Sequence, residues 1–210
     1  GSALGADGSW TNKTPGGNWS DTTKWLDGIV ANGAGSTAWF TNNITTSANT
    51  ITVDTSRTNG LVFIGDGVSA SGLQPFVFIP GSGATWTFDN GSAHAQLNQT
   101  ATAVKQTIGV PLVLASSLVV SNASTYDLIL TNGITGTENL ILNAAATGDI
   151  ILSNGLINVA GIITNSSPGT GAIKISAVIG PSVSGVVQKS ETSQMILSGT
   201  NNFVNGLFIK

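Results

Sequence analysis

Residues 128–152 read LILTNGITGTENLILNAAATGDIIL. The stretch holds three apolar triplets, Leu128-Ile129-Leu130, Leu140-Ile141-Leu142 and Ile150-Ile151-Leu152, parted by runs containing Thr, Asn and Gly. The triplets are too short for helices, and the Gly and β-branched residues in and around them disfavour helix further. The first and third triplets begin 22 residues apart, and Ile173-Lys174-Ile175 and Met195-Ile196-Leu197 follow at intervals of 23 and 22. A second series interleaves with it: Leu118-Val119-Val120, Leu140-Ile141-Leu142, Ile162-Ile163, Val186-Val187 and Leu207-Phe208-Ile209. A weaker third series runs through Ile134, Ile157, Val178-Ile179 and Phe203-Val204.

Three β-prone runs per period, each bounded by Gly, Asn or Ser, predict an all-β chain of repeated strand–turn units. One coil of about 22 residues cannot bury its apolar face alone, but stacked coils pair strand on strand at about 4.8 Å and enclose a continuous core. The expected fold is therefore a parallel β-helix (β-solenoid), with three strands per coil from about Leu112 to Lys210. A β-sandwich also uses many short strands but has no reason to keep this period over four turns. Ile151 is expected in the core. Asn132 and Asn154 follow their strands at the same offset and are expected to stack at a corner, where Asn and Gly tolerate left-handed backbone.

The N-terminal segment differs. Four of the five Trp, namely Trp10, Trp19, Trp25 and Trp39, fall within the first 39 residues. Open solenoid ends expose core and unpaired edges and are usually covered by an atypical cap. Residues 1–45 are accordingly read as a Trp-rich cap or assembly segment and 46–210 as the solenoid, with cap packing preferred over a sugar-stacking platform for the Trp residues. From Ile51 strands recur as ITVD, GLVFIG, FVFIP and ATWTF, more loosely spaced and broken by Pro75, Pro80 and Pro111.

Of the 210 residues only 8% are charged, with a net charge of −3, against about a quarter charged in an ordinary soluble protein. Polarity comes instead from 26 Thr, 23 Ser and 19 Asn. No stretch approaches the roughly 18 apolar residues of a spanning helix, and the scattered Lys form no basic stripe for nucleic acid. The chain has no Cys, hence no disulfide framework and no thiolate metal site. The opening GSALGADGSW lacks the charged and apolar regions of a secretion signal. Gly1-Ser2 reads as an addition from cloning, or Ala3 to Ala6 as the remnant around a removed signal; both readings stand.

Four stretches, GGNWSDTTKWLDGIVANGAGSTAWF, ITVDTSRTNGLVF, VPLVLASSLVVSN and QMILSGTNNFVNG, taken in order, resemble the autotransporter-associated β-strand repeat proteins. These are large secreted bacterial surface proteins whose repeats read LxLxGxNxFxGG followed by a Gly-Thr-Leu strand. Leu197, Ser198, Gly199, Asn201, Phe203 and Gly206 sit on that pattern, while Leu207 replaces its second Gly and the following strand is cut short after Lys210. The resemblance implies a right-handed parallel β-helix outside the cell with a structural or adhesive use. It carries no catalytic residue across.

Chemistry-bearing residues are sparse. Asp127 and Asp149 are one period apart and are expected to stack about 5 Å apart, near the carboxyl spacing of retaining glycosidases; Asp66 and Asp89 are candidates for the same arrangement. No cluster of Arg, His and Tyr gathers around them in the manner of a sugar cleft, and Lys105, one period before Asp127, points to a surface charge ladder instead. Stacked carboxylates suit calcium in principle, but the GGxGxD nonapeptide of calcium β-rolls is missing. His94, the single His, lies near Asp89 and Ser92 in one loop and reads as a polar turn residue rather than a triad member. Gly65-Asp66-Gly67 lacks the Lys-Ser/Thr and helix of a phosphate loop. Seven Asn-x-Ser/Thr sequons, at Asn12, Asn18, Asn43, Asn90, Asn98, Asn122 and Asn165, are expected by chance in so polar a composition.

The functional expectation is an extracellular, non-enzymatic structural protein without cofactor, forming or extending a cell-surface stalk, fibre or matrix filament. Its partner is another copy, joined head to tail. Leu207, Phe208, Ile209 and Lys210 form a last rung on Val186-Val187 that meets the segment of Trp10, Trp19, Trp25 and Trp39. The rival readings are a β-helix that binds or degrades a cell-surface or matrix polysaccharide, and a piece of an autotransporter-type adhesin passenger.

Overall fold

The computed structural model describes residues 5–68 and 71–209; Lys210 and Ala3 therefore lie outside the described residues. Among the described residues three sheets, their strands paired in parallel, form a β-solenoid, the third spanning only Arg57 to Ile179. The first sheet holds nine strands: β1 (Gly8–Ser9), β3 (Thr37–Phe40), β6 (Leu61–Ile64), β9 (Ala95–Gln99), β12 (Leu118–Asn122), β15 (Leu140–Ala144), β18 (Ile162–Asn165), β21 (Gly185–Gln188) and β23 (Leu207–Ile209). The second holds eight: β2 (Gly17–Asn18), β4 (Asn49–Val53), β7 (Phe76–Pro80), β10 (Gln106–Ile108), β13 (Leu128–Leu130), β16 (Ile150–Leu152), β19 (Ile173–Ile175) and β22 (Met195–Leu197). The third holds six: β5 (Arg57–Asn59), β8 (Trp86–Phe88), β11 (Leu112–Leu114), β14 (Ile134–Gly136), β17 (Leu156–Val159) and β20 (Val178–Ile179).

Register reproduces the sequence period. Gln106, Leu128, Ile150, Ile173 and Met195 stand in one column at steps of 22, 22, 23 and 22 residues. The steps are longer earlier in the chain, 35 from Leu61 to Gln96 and 30 from Val77 to Thr107, because loops are inserted at the corners. The third apolar series departs from expectation at its end. Ile179 bridges to Asn201, so Phe203 is not the next rung and instead packs half-buried against the core.

The apolar triplets alternate as strands must. In β13 and β16 the outer members Leu128, Leu130, Ile150 and Leu152 are buried, while Ile129 and Ile151 face outward and are half-buried. The expectation that Ile151 lies in the core is corrected: a run of three apolar residues carries no alternation of its own to say which faces in. The corners behave as expected. Gly155, at φ 67°, stacks so closely on the coil before it that a Cβ would lie 2.5 Å from the Gly133 nitrogen. Asn154 takes the left-handed conformation itself, at φ 58°.

Strands of the first sheet end on buried amides. Asn122 Nδ2 donates to the carbonyls of Tyr126 (2.9 Å) and Asp149 (3.0 Å), and its Oδ1 accepts the Ser124 N–H at 2.9 Å. Asn165 Nδ2 donates to Gln188 Oε1 at 2.9 Å and its Oδ1 accepts the Ser167 N–H at 3.1 Å. A buried amide unpaired with its corner costs about 1–3 kcal/mol, so each pins the turn that follows its strand. Two of the seven sequons, Asn122 and Asn165, are thus fully buried.

Candidate functional site

Lys105, Asp127, Asp149, Ala172 and Gln194 each immediately precede a strand of the second sheet and form one corner column, with backbone bonds running up it: Leu128 N–H to Asp149 O at 2.9 Å and Ile150 N–H to Ala172 O at 3.0 Å. Asp127 Oδ1 accepts the Asp149 N–H at 3.1 Å, and Asp149 Oδ1 accepts the Ala172 N–H at 2.7 Å. The other Asp149 oxygen pairs with the Lys174 ammonium. That hydrogen bond, then the Asp149 and Asp127 charges, holds the Lys174 pKa above its ordinary value. The carboxylates stack as their spacing foretold, but each is engaged by the backbone of the next coil. Chemically the column ties coils together.

Asp66 and Asp89 do not stack. Asp66 follows β6 in the first sheet and Asp89 follows β8 in the third, because the long insertions of this half break the simple period. Asp66 is buried, its carbonyl accepts from Thr102 Oγ1, and neither carboxylate oxygen has a hydrogen-bond partner of good geometry. Burial raises its pKa against the opposing pull of the Ile44 and Val104 N–H groups. The Asp89 carboxylate is taken up by the Gly91 N–H at 3.0 Å and Ser116 Oγ at 3.4 Å. His94 is exposed, and its carbonyl accepts from Asn90. Asp89, Ser92 and His94 are joined by no side-chain hydrogen bond. Among the described residues no three or more His, Asp or Glu side chains gather as a metal site.

The two ends of the solenoid differ. At the N-terminal end, β1 pairs with β3 on one side and is closed on the other by antiparallel bridges, Ala6 with Asn32 and Trp10 with Trp25. Two of the assembly tryptophans anchor through their indoles: Trp19 Nε1 donates to Ala31 O at 3.0 Å and Trp25 Nε1 to Trp19 O at 2.7 Å. Trp10, Trp19 and Trp25 are buried in one cluster with Phe40, Phe78 and Trp86, with ring centroids 4.8–6.5 Å apart across edge-on and tilted contacts. Trp39 lies half-buried on the outward face of β3, in register with Ser9 and Phe63. Residue 45 is no boundary of the sheets, since β1, β2 and β3 are already rungs of them. A tight turn over Leu26–Gly28, with Asp27 at φ 54°, displays Leu26 (54% exposed) and Ile29 (48%) on the outside of the cap.

At the other end the described residues leave the sheet edges uncovered. β23 lies on β21 with Val186 opposite Leu207 and Val187 opposite Phe208, the rung its spacing foretold. Among the described residues no strand pairs the far side of β22 or β23. Leu207, Phe208 and Ile209 are 51%, 48% and 79% exposed. An open notch of about 470 Å³ is lined by Gln188, the Ser190–Gln194 corner, Met195 and Ile196. The expected contact at Lys210 falls outside the described residues.

No family model, curated protein or solved structure matches the chain. No helix among the described residues is long and apolar enough to cross a membrane. Sequence reasoning missed two features here. The exposure of Leu26 and Ile29 had one signal, the Asp-Gly turn between them; the burial of Asp66 had none, because a loop carboxylate reads as solvated.

Proposed function

We propose that this chain is a non-catalytic structural unit of an extracellular stalk, fibre or matrix filament, joined end to end through the open C-terminal rung of one copy and the cap of the next. The observation that carries the reading is the asymmetry of the ends: a closed aromatic cap against a bare parallel edge with three exposed apolar residues. Bare edges template association. Trp10, Trp19 and Trp25 cannot themselves touch a neighbour, so their part is to hold the turn that offers Leu26 and Ile29; Trp39 faces outward. The engaged Asp column and the low charge support a passive surface, and the resemblance to secreted repeat proteins supports the extracellular setting.

A contact between unlike ends repeats without limit unless the rotation closes a ring. Burying one such side chain from full exposure is worth about 1.5–3 kcal/mol. Leu207, Phe208, Leu26 and Ile29 are already about half covered and Ile209 only about a fifth, so together they supply roughly 4–8 kcal/mol. Association costs about 4–15 kcal/mol, and the bonds of the free edge must make up the difference. Assembly is therefore concentration-dependent.

Light scattering and electron microscopy of the intact chain, of a chain ending at Gly206, and of Phe208→Asp and Leu26→Asp test this. The expected result is rods that lengthen with concentration and are lost in all three variants. An intact chain that stays monomeric at high concentration refutes the reading.

A further inference from the structure

We infer that Asn205-Gly206 is a site of spontaneous covalent modification, where the chain deamidates itself immediately before β23. The sequence holds six Asn-Gly pairs, at Asn32, Asn59, Asn90, Asn132, Asn154 and Asn205. Glycine has no Cβ, so its nitrogen can reach the Cγ of a preceding Asn without hindrance. The Gly nitrogen attacks Cγ, the N–Cγ bond forms, and the Cγ–Nδ2 bond breaks as ammonia leaves with the amide proton. Water then opens the resulting five-membered imide at either carbonyl, giving Asp or isoaspartate. The sum is Asn plus water to an acid plus ammonia, with no other reactant.

The fold restrains five of the six. Asn32 Oδ1 accepts the Thr58 N–H at 2.9 Å. Asn59 is fully buried, donates to Ser36 Oγ at 2.8 Å and accepts from Trp86 Nε1 at 2.9 Å. Asn90 Nδ2 donates to His94 O at 2.9 Å and Asn132 Nδ2 to Gly109 O at 3.0 Å. Asn154 has a free side chain but is fixed in a left-handed turn, with Gly155 packed against Gly133. Asn205 alone of the six combines three freedoms. It is exposed, its amide has no partner among the described residues, and nothing lies within 4 Å of where a Cβ of Gly206 would stand.

The position gives the reaction a structural consequence. The Gly206 carbonyl accepts the Val186 N–H at 3.3 Å, the first bond joining β23 to β21. Isoaspartate at residue 205 routes the backbone through one extra carbon at that point and adds a negative charge. The Gly206 carbonyl is displaced, and β23 loses its anchor.

The test is peptide mapping by mass spectrometry after incubation of the intact folded protein at mildly alkaline pH, with a urea-unfolded control and the Gly206→Ala variant. Each hydrogen bond that must break before attack slows conversion by roughly fivefold. Folded protein is therefore expected to convert Asn205 at least roughly tenfold faster than Asn59, which holds two such bonds; unfolded protein should convert all six at similar rates, and Gly206→Ala should suppress only the Asn205 product. Hydrogen exchange at the Val186 amide should speed up in the isoaspartate form. Equal rates at Asn59 and Asn205 in the folded chain, or an intact Asn205 there beside conversion in urea, overturns the site. An unchanged Val186 amide overturns the consequence for β23.

Discussion

Asp127 Oδ1 accepts the backbone N–H of Asp149 at 3.1 Å, and Asp149 repeats the contact one coil on, to Ala172 at 2.7 Å. Two carboxylates in register, the arrangement that most invites an enzymatic reading, thus serve as rungs of a ladder. Asp149→Ala removes an acceptor from a half-buried N–H and is expected to cost about 1–2 kcal/mol. Lys174→Ala removes only the exposed partner of an ion pair, worth about 0–1 kcal/mol. Urea midpoints of the two variants check this. A Lys174→Ala loss as large as that of Asp149→Ala would mean that the ion pair, not the backbone contact, holds the corner.

The buried amides set a larger effect. Asn165 links the end of β18 to Gln188 Oε1 and to the Ser193 carbonyl (3.2 Å), and fixes its own turn through Ser167. Asn165→Leu leaves Gln188 Oε1 and the Ser167 N–H without a partner, while the Ser193 carbonyl keeps Gln188 Nε2 at 2.7 Å, and is expected to cost about 2–4 kcal/mol. Asn143→Leu, on the outward face of the neighbouring β15, should cost far less. Thermal unfolding of both variants distinguishes a structural amide ladder from decoration.

Asp66 gives the protein an unusual pH response. Burial raises its folded pKa, so the folded state keeps this proton to higher pH than the unfolded chain does. Its contribution is therefore fully present below the ordinary carboxylate pKa and is lost as pH rises through the raised folded value. Above that range the folded chain carries a disfavoured buried charge. Asp66→Asn is expected to raise the melting temperature at pH 7 and to leave it nearly unchanged in acid. A variant less stable than the parent at pH 7 would show that the Ile44 and Val104 N–H groups outweigh the desolvation.

Ile150 and Ile151 separate what the sequence discloses from what it hides. Spacing alone placed the coils from Leu112 onward, the stacking of Asn132-Gly133 under Asn154-Gly155 and the pairing of β23 with β21, because each follows from a fixed period. Facing did not follow, since Ile-Ile-Leu is apolar throughout and only the neighbouring sheets decide which members turn inward. The insertions between β6 and β9 were equally hidden: loop residues have no period, so Asp66 and Asp89 looked aligned. Ile150→Asp is expected to unfold the chain, as an unpaired buried charge costs several kcal/mol. Ile151→Asp, on the outward, half-buried face, should lose far less, about 1 kcal/mol. Comparable losses in the two variants, read from circular dichroism melts, would contradict the alternation.

The ends should also come apart unequally. In a solenoid each coil is stabilised only by its neighbours, so loss of structure starts at whichever end is held by fewest contacts. Each rung in the interior pairs on both sides, whereas β23 pairs on one and exposes all three of its side chains. The first coil is bound by β3, by the antiparallel bridges of residues 6 and 10, and by the cluster of Trp10, Trp19, Trp25 and Phe40. Aromatic pairs of this kind add about 0.5–1.5 kcal/mol each beyond the area they bury, and nothing comparable holds β22 and β23. Native-state hydrogen exchange is therefore expected to show protection rising from β23 toward β10, with the Trp19 indole, bonded to Ala31 O, among the slowest groups to exchange. In urea, exchange at Val186 should reach its unprotected rate before Trp fluorescence changes. Loss of the Trp signal first would place the weak end at the cap.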